Sequence, residues 1–173
     1  EKESDLVAIA QYYYNKNGCN RTKLNDIIKD AFQTGKQPNV NHNILAKLPI
    51  FTYWTTNYDK LIEKALENNG KICDIKTCCA NLTTTLKGRN VVVYKMHGDV
   101  DHPEDAVLIR DDYESYNQEK APFINTLSGD LMTKTFLQIP RCISSASHLI
   151  KRRSFLIIIT AYPYLTISAL PNR

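Results

Sequence analysis

The sequence predicts an α/β fold: a Rossmann-like parallel sheet flanked by helices, with an N-terminal helical segment. Three observations lead there. Apolar, β-rich runs at residues 50–54 and 91–96 each give way at once to a polar stretch, Thr55-Thr56-Asn57-Tyr58-Asp59 after the first and His97-Gly98-Asp99 after the second. Strand and helix patterns alternate from residue 50 onward, as layered α/β sheets require. The 173 residues, 43% of them hydrophobic, suffice for one ordinary domain with a core. Open α/β sheets hold ligands where parallel strands end, so Asn57 and His97 are expected to converge on one crevice.

The elements follow in order. Residues 5–14 place Leu6, Ile9, Ala10 and Tyr13 at helical spacing, and Asn17-Gly18 breaks that pattern. Thr22 opens a second helix through Phe32, with Leu24, Ile27, Ile28 and Ala31 on one side. Gly35 and Pro38 mark a connection, and a third helix over 39–48 ends at Pro49. The first strand is expected at 50–55, a helix at 58–68 closed by Asn69-Gly70, and a short strand at 72–75. Further strands are expected at 91–96 and 107–110, helices at 111–118 and 121–132, and a last strand at 135–139. Trp54 and the Tyr12-Tyr13-Tyr14 run are read as packing residues, because aromatics serve cores far more often than base-stacking platforms. No internal repeat or low-complexity segment is present.

Charge and cysteine usage narrow the classes of function. The net charge of +4 resides in the tail: from Leu131 onward there is no Asp or Glu but six basic residues, so 16 basic face 18 acidic residues over 1–130. The body thus offers no basic stripe with interleaved aromatics, and a nucleic-acid partner is not expected. Glu1-Lys2-Glu3-Ser4-Asp5 is too charged to open a signal peptide, and no apolar stretch approaches the roughly 18 residues of a membrane span, so no membrane partner is expected and the expected location is the cytoplasm. Five cysteines are an odd number in such a chain and argue for reduced thiols. Cys73, Cys78 and Cys79 form a C-x-x-x-x-C-C cluster with no second pair, so no metal site, and no zinc in particular, is expected.

The strand ending in Thr55-Thr56-Asn57-Tyr58-Asp59, the helix that includes Lys60-Leu61-Ile62-Glu63-Lys64-Ala65-Leu66, and then Lys95-Met96-His97-Gly98-Asp99 resemble the sirtuin-like NAD-consuming domains of bacterial antiphage defence proteins. The resemblance covers roughly residues 45–136, and the order and spacing of the two motifs carry it. It implies NAD as substrate, cleaved to nicotinamide and ADP-ribose, with further domains or protein partners in the parent system and a homo-oligomer as one possible assembly. A non-catalytic NAD or ADP-ribose sensor or scaffold is the alternative. An NAD-dependent protein deacylase fits less well, because deacylating sirtuins carry a four-cysteine zinc module that this sequence lacks.

With NAD as substrate, the bond between nicotinamide and ribose breaks through an oxocarbenium-like state, and the departing nicotinamide is neutral, so it needs no general acid. The site must orient the ribose, shield the developing cation and present a nucleophile beside a base. His97 is the candidate base, since an imidazole titrates near neutral pH, and the Asn57 amide can donate and accept at once to fix a ribose hydroxyl or a water. Thr55, Thr56, Asn57, Asp59 and Gly98 are the candidate nucleotide-binding residues. The resemblance implies that Asp59 contacts the carboxamide or braces its pocket; Thr56 stands where many sirtuins have Gln; Gly98 would admit close backbone approach to the ligand. Asp99 is a candidate to orient the imidazole. Plain structural roles compete: Asn57 as N-cap of a helix starting at Tyr58 with Asp59 in its first turn, His97 as a turn residue, and Arg110-Asp111-Asp112-Tyr113 as a capped helix start. His42, His102 and His148 are read as structural or exposed.

The resemblance breaks at both ends. Sirtuin-like domains begin with a strand and a Gly-Ala-Gly phosphate loop, whereas the six glycines here are all isolated, so the chain is expected to start beyond that element. After Lys134-Thr135-Phe136-Leu137 neither glycine nor acid follows, where relatives have a Gly-containing turn with Ser and Asp-Pro. Residues 1–137 are therefore read as a partial sirtuin-like domain and 138–173 as a diverged or frameshifted basic tail, in which the apolar run 155–159 would be adventitious and aggregation-prone. An alternative reading frame past codon 137 is expected to restore the Gly-Ser-Asp-Pro pattern.

Overall fold

The computed structural model describes residues 6–33, 35–139 and 156–160. Three helices come first: α1 (Leu6–Lys16), α2 (Thr22–Gln33) and α3 (Val40–Lys47). The break after α1 is a left-handed turn with φ of +68° at Gly18 and +57° at Cys19. The Asn20 side chain accepts a hydrogen bond from the Thr22 amide (2.8 Å) as α2 begins. Asn39 caps α3 by accepting from the His42 amide (3.1 Å), and Pro49 follows the end of that helix. His42 thus has the structural role expected of it.

The sheet is built from β1 (Thr52–Thr55), β2 (Cys73–Lys76), β3 (Val91–Lys95), β4 (Thr135–Ile139) and β5 (Leu156–Thr160), in the order β2-β3-β1-β5-β4. β2, β3 and β1 run parallel, as expected; β5 enters antiparallel to both β1 and β4. β5 lies within the 138–173 tail and overlaps the 155–159 run; Lys151-Arg152-Arg153, Cys142 and His148 lie outside the described residues. Three helices complete the chain order: α4 (Leu61–Asn68) between β1 and β2, then α5 (Arg110–Glu119) and α6 (Ala121–Thr133) between β3 and β4. Cys73 lies on β2 and Cys78 just before a short 3-10 turn (Cys79–Asn81); these two, Cys79 and Cys19 are free thiols.

All four residues of β1 are buried, the mark of a central strand covered on both faces. On one face Tyr53 packs with Ala46 of α3, with Ile62, Ala65 and Leu66 of α4, and with Val91 and Val93 of β3. The Tyr53 hydroxyl donates to the Leu45 carbonyl (3.0 Å), tying α3 to the sheet. On the other face Trp54 stacks on Tyr94 at 4.1 Å and meets Phe123 of α6 edge-on at 6.5 Å, while its indole N–H donates to Asp130 (3.0 Å).

Two expected elements differ. Residues 107–110 do not form a strand, because their backbone groups are taken locally: Val107 N–H donates to the His97 carbonyl (2.9 Å), and the Asp112 carboxylate accepts from the Leu108 (2.8 Å) and Ile109 (3.0 Å) amides, starting α5 at Arg110. That capped start is the plain role foreseen for residues 110–113. The helix expected from Tyr58 begins only at Leu61, for a reason that lies in the site. Trp54→Ala should destabilise the chain by about 3–5 kcal/mol, the range for emptying a buried aromatic position, as read by urea unfolding followed by circular dichroism.

Candidate functional site

The parallel register places Thr55 of β1 opposite Lys95 of β3, and the Met96 amide still donates to the Thr55 carbonyl (2.9 Å). Asn57 and His97 therefore each follow by two residues the paired ends of adjacent strands, at the carboxyl edge of the sheet. Both residues thus follow adjacent strands at the same edge of the sheet. The Thr55 hydroxyl accepts from the Asn57 amide (3.0 Å), which turns the chain directly after β1, and Thr56 lies half-buried in that turn. Asn57 caps no helix, and no other described residue hydrogen-bonds its side-chain amide. Asp59 instead accepts from the Leu61 amide (3.0 Å), just ahead of α4.

Beneath the two loops sits Lys95, fully buried at 0% exposure. Its Nζ lies 2.6 Å from Asp99 Oδ2 and 2.9 Å from Glu63 Oε1, and donates to the carbonyls of Asp59 (2.6 Å) and Tyr58 (3.1 Å). With those carbonyls turned toward the ammonium, and the Tyr58 carbonyl also accepting from Val100 N–H (3.0 Å), residues 58–60 stay in a loop and the helix starts late. Burial holds the Glu63 carboxyl above its usual range, against the opposing pull of Lys95. Asp99 faces Lys95 and accepts from the Asp101 amide (2.8 Å), so it is engaged away from the His97 ring that it was a candidate to orient.

The His97 ring is packed edge-to-face against Tyr113 at 5.6 Å and Tyr116 at 6.0 Å. Burial, with a smaller contribution from the Lys120 charge, lowers its pKa to about 4. The imidazole is thus neutral at pH 7. Gly98 takes a left-handed φ of +93°, and a Cβ there would sit 3.0 Å from Ala106 Cα and 3.2 Å from the Asp105 carbonyl. The close backbone approach that glycine permits is therefore made by the chain's own 105–106 segment. That segment is pinned from several sides. The buried Tyr58 hydroxyl donates to the Val107 carbonyl (2.6 Å), and Arg21, just ahead of α2, donates to the Ala106 carbonyl (2.5 Å) while pairing with Asp112 (2.6 Å). A cavity of about 140 Å³ opens beside it, lined in part by Val107, Asp112, Tyr116 and Lys120.

Sequence reasoning missed Lys95, Tyr58 and Arg21. The signal for Lys95 was present: Val91, Val93 and Lys95 alternate on the buried face of β3, which puts a lysine where the period of the strand calls for a hydrophobe. Nothing local marks Arg21, whose partners lie 85 and 91 residues away.

Two adjacent parallel strands leading into Thr-Thr-Asn-Tyr-Asp and His-Gly-Asp at one edge of the sheet define the class. The chain belongs to the SIR2-like domain family, which it matches over residues 52–140. It is 59% identical over 136 residues to the NAD(+) hydrolase ThsA of Bacillus cereus, an alignment spanning 79% of this chain and 29% of that protein. It is 56% identical over 137 residues to the ThsA of Acinetobacter baumannii, spanning 79% and 28%. It is 32% identical over 139 residues to Defense-associated sirtuin 2 of Bacillus subtilis, spanning 78% and 13%. The chain thus spans less than a third of the length of these relatives. Among the described residues no helix is long and apolar enough to cross a membrane, and no three His, Cys, Asp or Glu side chains are placed to hold a metal ion.

Because the folded-state pKa of His97 lies near 4 and the unfolded value near 6.5, the unfolded chain binds the extra proton between those values. Stability should therefore be full above pH 6.5 and decline as pH falls to 4, by on the order of 3 kcal/mol from this group. Urea unfolding of wild type and His97→Gln across pH 4–7 checks this: the variant should lose that part of the slope.

Proposed function

We propose that this chain forms the catalytic edge of an NAD+ glycohydrolase. The reaction converts NAD+ and water to nicotinamide, ADP-ribose and a proton. The reading is carried by one observation: Asn57 and His97, whose polar side chains make no hydrogen bond with another described residue, follow the ends of adjacent parallel strands in a chain 59% identical to a protein named NAD(+) hydrolase.

In this reading the bond from nicotinamide to the ribose carbon breaks with its electron pair returning to the ring, which neutralises the pyridinium charge. Water forms the new bond at that carbon and gives its proton to His97, which is held neutral and so is ready to accept it. The Asn57 amide orients the ribose hydroxyls or the water, and Thr55, Thr56 and Asp59 shape the loop that carries it. Gly98 serves the site by letting the His97 loop close against residues 105–106. The parent protein acts in the bacterial cytoplasm as an antiphage defence effector, a role that the name of the Bacillus subtilis relative supports. Its further length supplies the other domains or partners, and a homo-oligomer fits the same reading. Residues 138–173 are read as a diverged or frameshifted tail; in support, the family match stops at residue 140.

Nicotinamide release from NAD+ by the purified chain, beside His97→Ala and Asn57→Ala, tests the reading. Each substitution should lower the rate by about 10²-fold or more, the usual contribution of a positioned base or an orienting group. A variant that keeps the wild-type rate would remove its residue from the mechanism. Nucleotide binding with no release would move the assignment to a non-catalytic NAD or ADP-ribose module.

A further inference from the structure

We propose that Lys95 is a positioning residue whose buried ammonium sets the separation of the Asn57 and His97 loops, and so acts on NAD cleavage through both of them. The inference rests on the reading of the site as an NAD glycohydrolase for its catalytic consequence, but not for its structural one.

The geometry is specific. Lys95 is the last residue of β3, two before His97, and its Nζ crosses beneath the loop after β1 to reach the carbonyls of Tyr58 and Asp59, the residues next after Asn57. The same Nζ holds Asp99, two residues beyond His97, and Glu63 of α4. One cation therefore binds backbone on one loop and side chain on the other. No other described lysine does this. Lys76 gives the contrast: it is equally buried, at 1% exposure, and pairs with Asp74 (2.8 Å), but it lies in β2 and donates to the Thr84 carbonyl (2.5 Å), away from both loops. Both lysines satisfy donors on main-chain carbonyls, but the two that Lys95 uses belong to the loop that carries Asn57.

If the ammonium is removed, the loops separate. The His97 ring then leaves its packing against Tyr113 and Tyr116 and comes closer to water. A displacement of about 1 Å at such a site costs about 10²-fold in rate with little change in substrate affinity.

The test uses Lys95→Met, Asp99→Asn and Lys76→Met in the full chain, with two readings. The first is the titration of His97, followed by NMR of 15N-histidine-labelled protein, where Lys120, Tyr113 and Tyr116 are the titratable groups facing the ring. The midpoint should rise from about 4 toward the ordinary 6.5 in Lys95→Met and in Asp99→Asn, and stay in place in Lys76→Met. Lys95→Met removes a positive charge and Asp99→Asn a negative one, so a field effect alone would move His97 in opposite directions. A rise in both reports loop opening. The second reading is nicotinamide release: in Lys95→Met kcat should fall about 10²-fold with KM within about threefold, and adding Lys95→Met to the Asn57→Ala, His97→Ala double variant should cost nothing further.

An unmoved His97 titration in both loop variants, or shifts of opposite sign, would overturn the proposal. So would an undiminished kcat in Lys95→Met. If Lys95→Met does not fold, Asp99→Asn decides alone, since only loop opening raises the midpoint when a carboxylate charge is lost. Absence of nicotinamide release from the wild type, with the titration shifts present, would overturn the assigned reaction and leave Lys95 as the positioning residue.

Discussion

The arrangement depends on the burial of one ammonium. A lysine taken wholly out of water is tolerated only when its charge and donors are met, and Lys95 donates to two main-chain carbonyls and pairs with the carboxylates of Asp99 and Glu63. Removing one partner of such a buried set typically costs about 3–5 kcal/mol, because the remaining charge is left without compensation. That cost makes the cluster a constraint on the chain around it. The carbonyls of Tyr58 and Asp59 must turn inward, α4 must wait until Leu61, and Asn57 is left in a turn at the sheet edge rather than in a helix.

The same constraint separates the charges of the site. The ionic groups lie under the loops, on Lys95, Asp99 and Glu63, whereas His97 lies among tyrosine rings and is kept neutral by burial. The separation keeps the imidazole deprotonated at neutral pH and so able to accept a proton, while the absence of a carboxylate against the ring among the described residues leaves it a weaker base than a paired histidine. Support comes from outside the family match as well. Arg21 and Gln11, in the N-terminal helical segment, reach Asp112, the Ala106 carbonyl and Asp111, so that segment braces the wall of the site.

Much of this was legible in the sequence because it is local. Among the described residues, hydrophobic period and Gly, Asn and Pro breaks located the six helices and four of the five strands, and the two motifs located the strand ends. What escaped was set by distant partners. The pattern at 107–110 is strand-like, yet its amides are claimed by Asp112 and by the His97 carbonyl. Asn57 has the chemistry of a helix cap, but the pull of Lys95 on the following carbonyls decides otherwise. The antiparallel entry of β5 could not be read from an apolar run that lacks neighbouring family pattern.

The most direct test of the account is a crystal structure of the chain with ADP-ribose. The account predicts the terminal ribose at the carboxyl edge of β1 and β3, with the Asn57 amide and a His97 ring nitrogen both within about 3 Å of its hydroxyls. A nucleotide bound elsewhere on the sheet, or a ribose that touches neither residue, would contradict it.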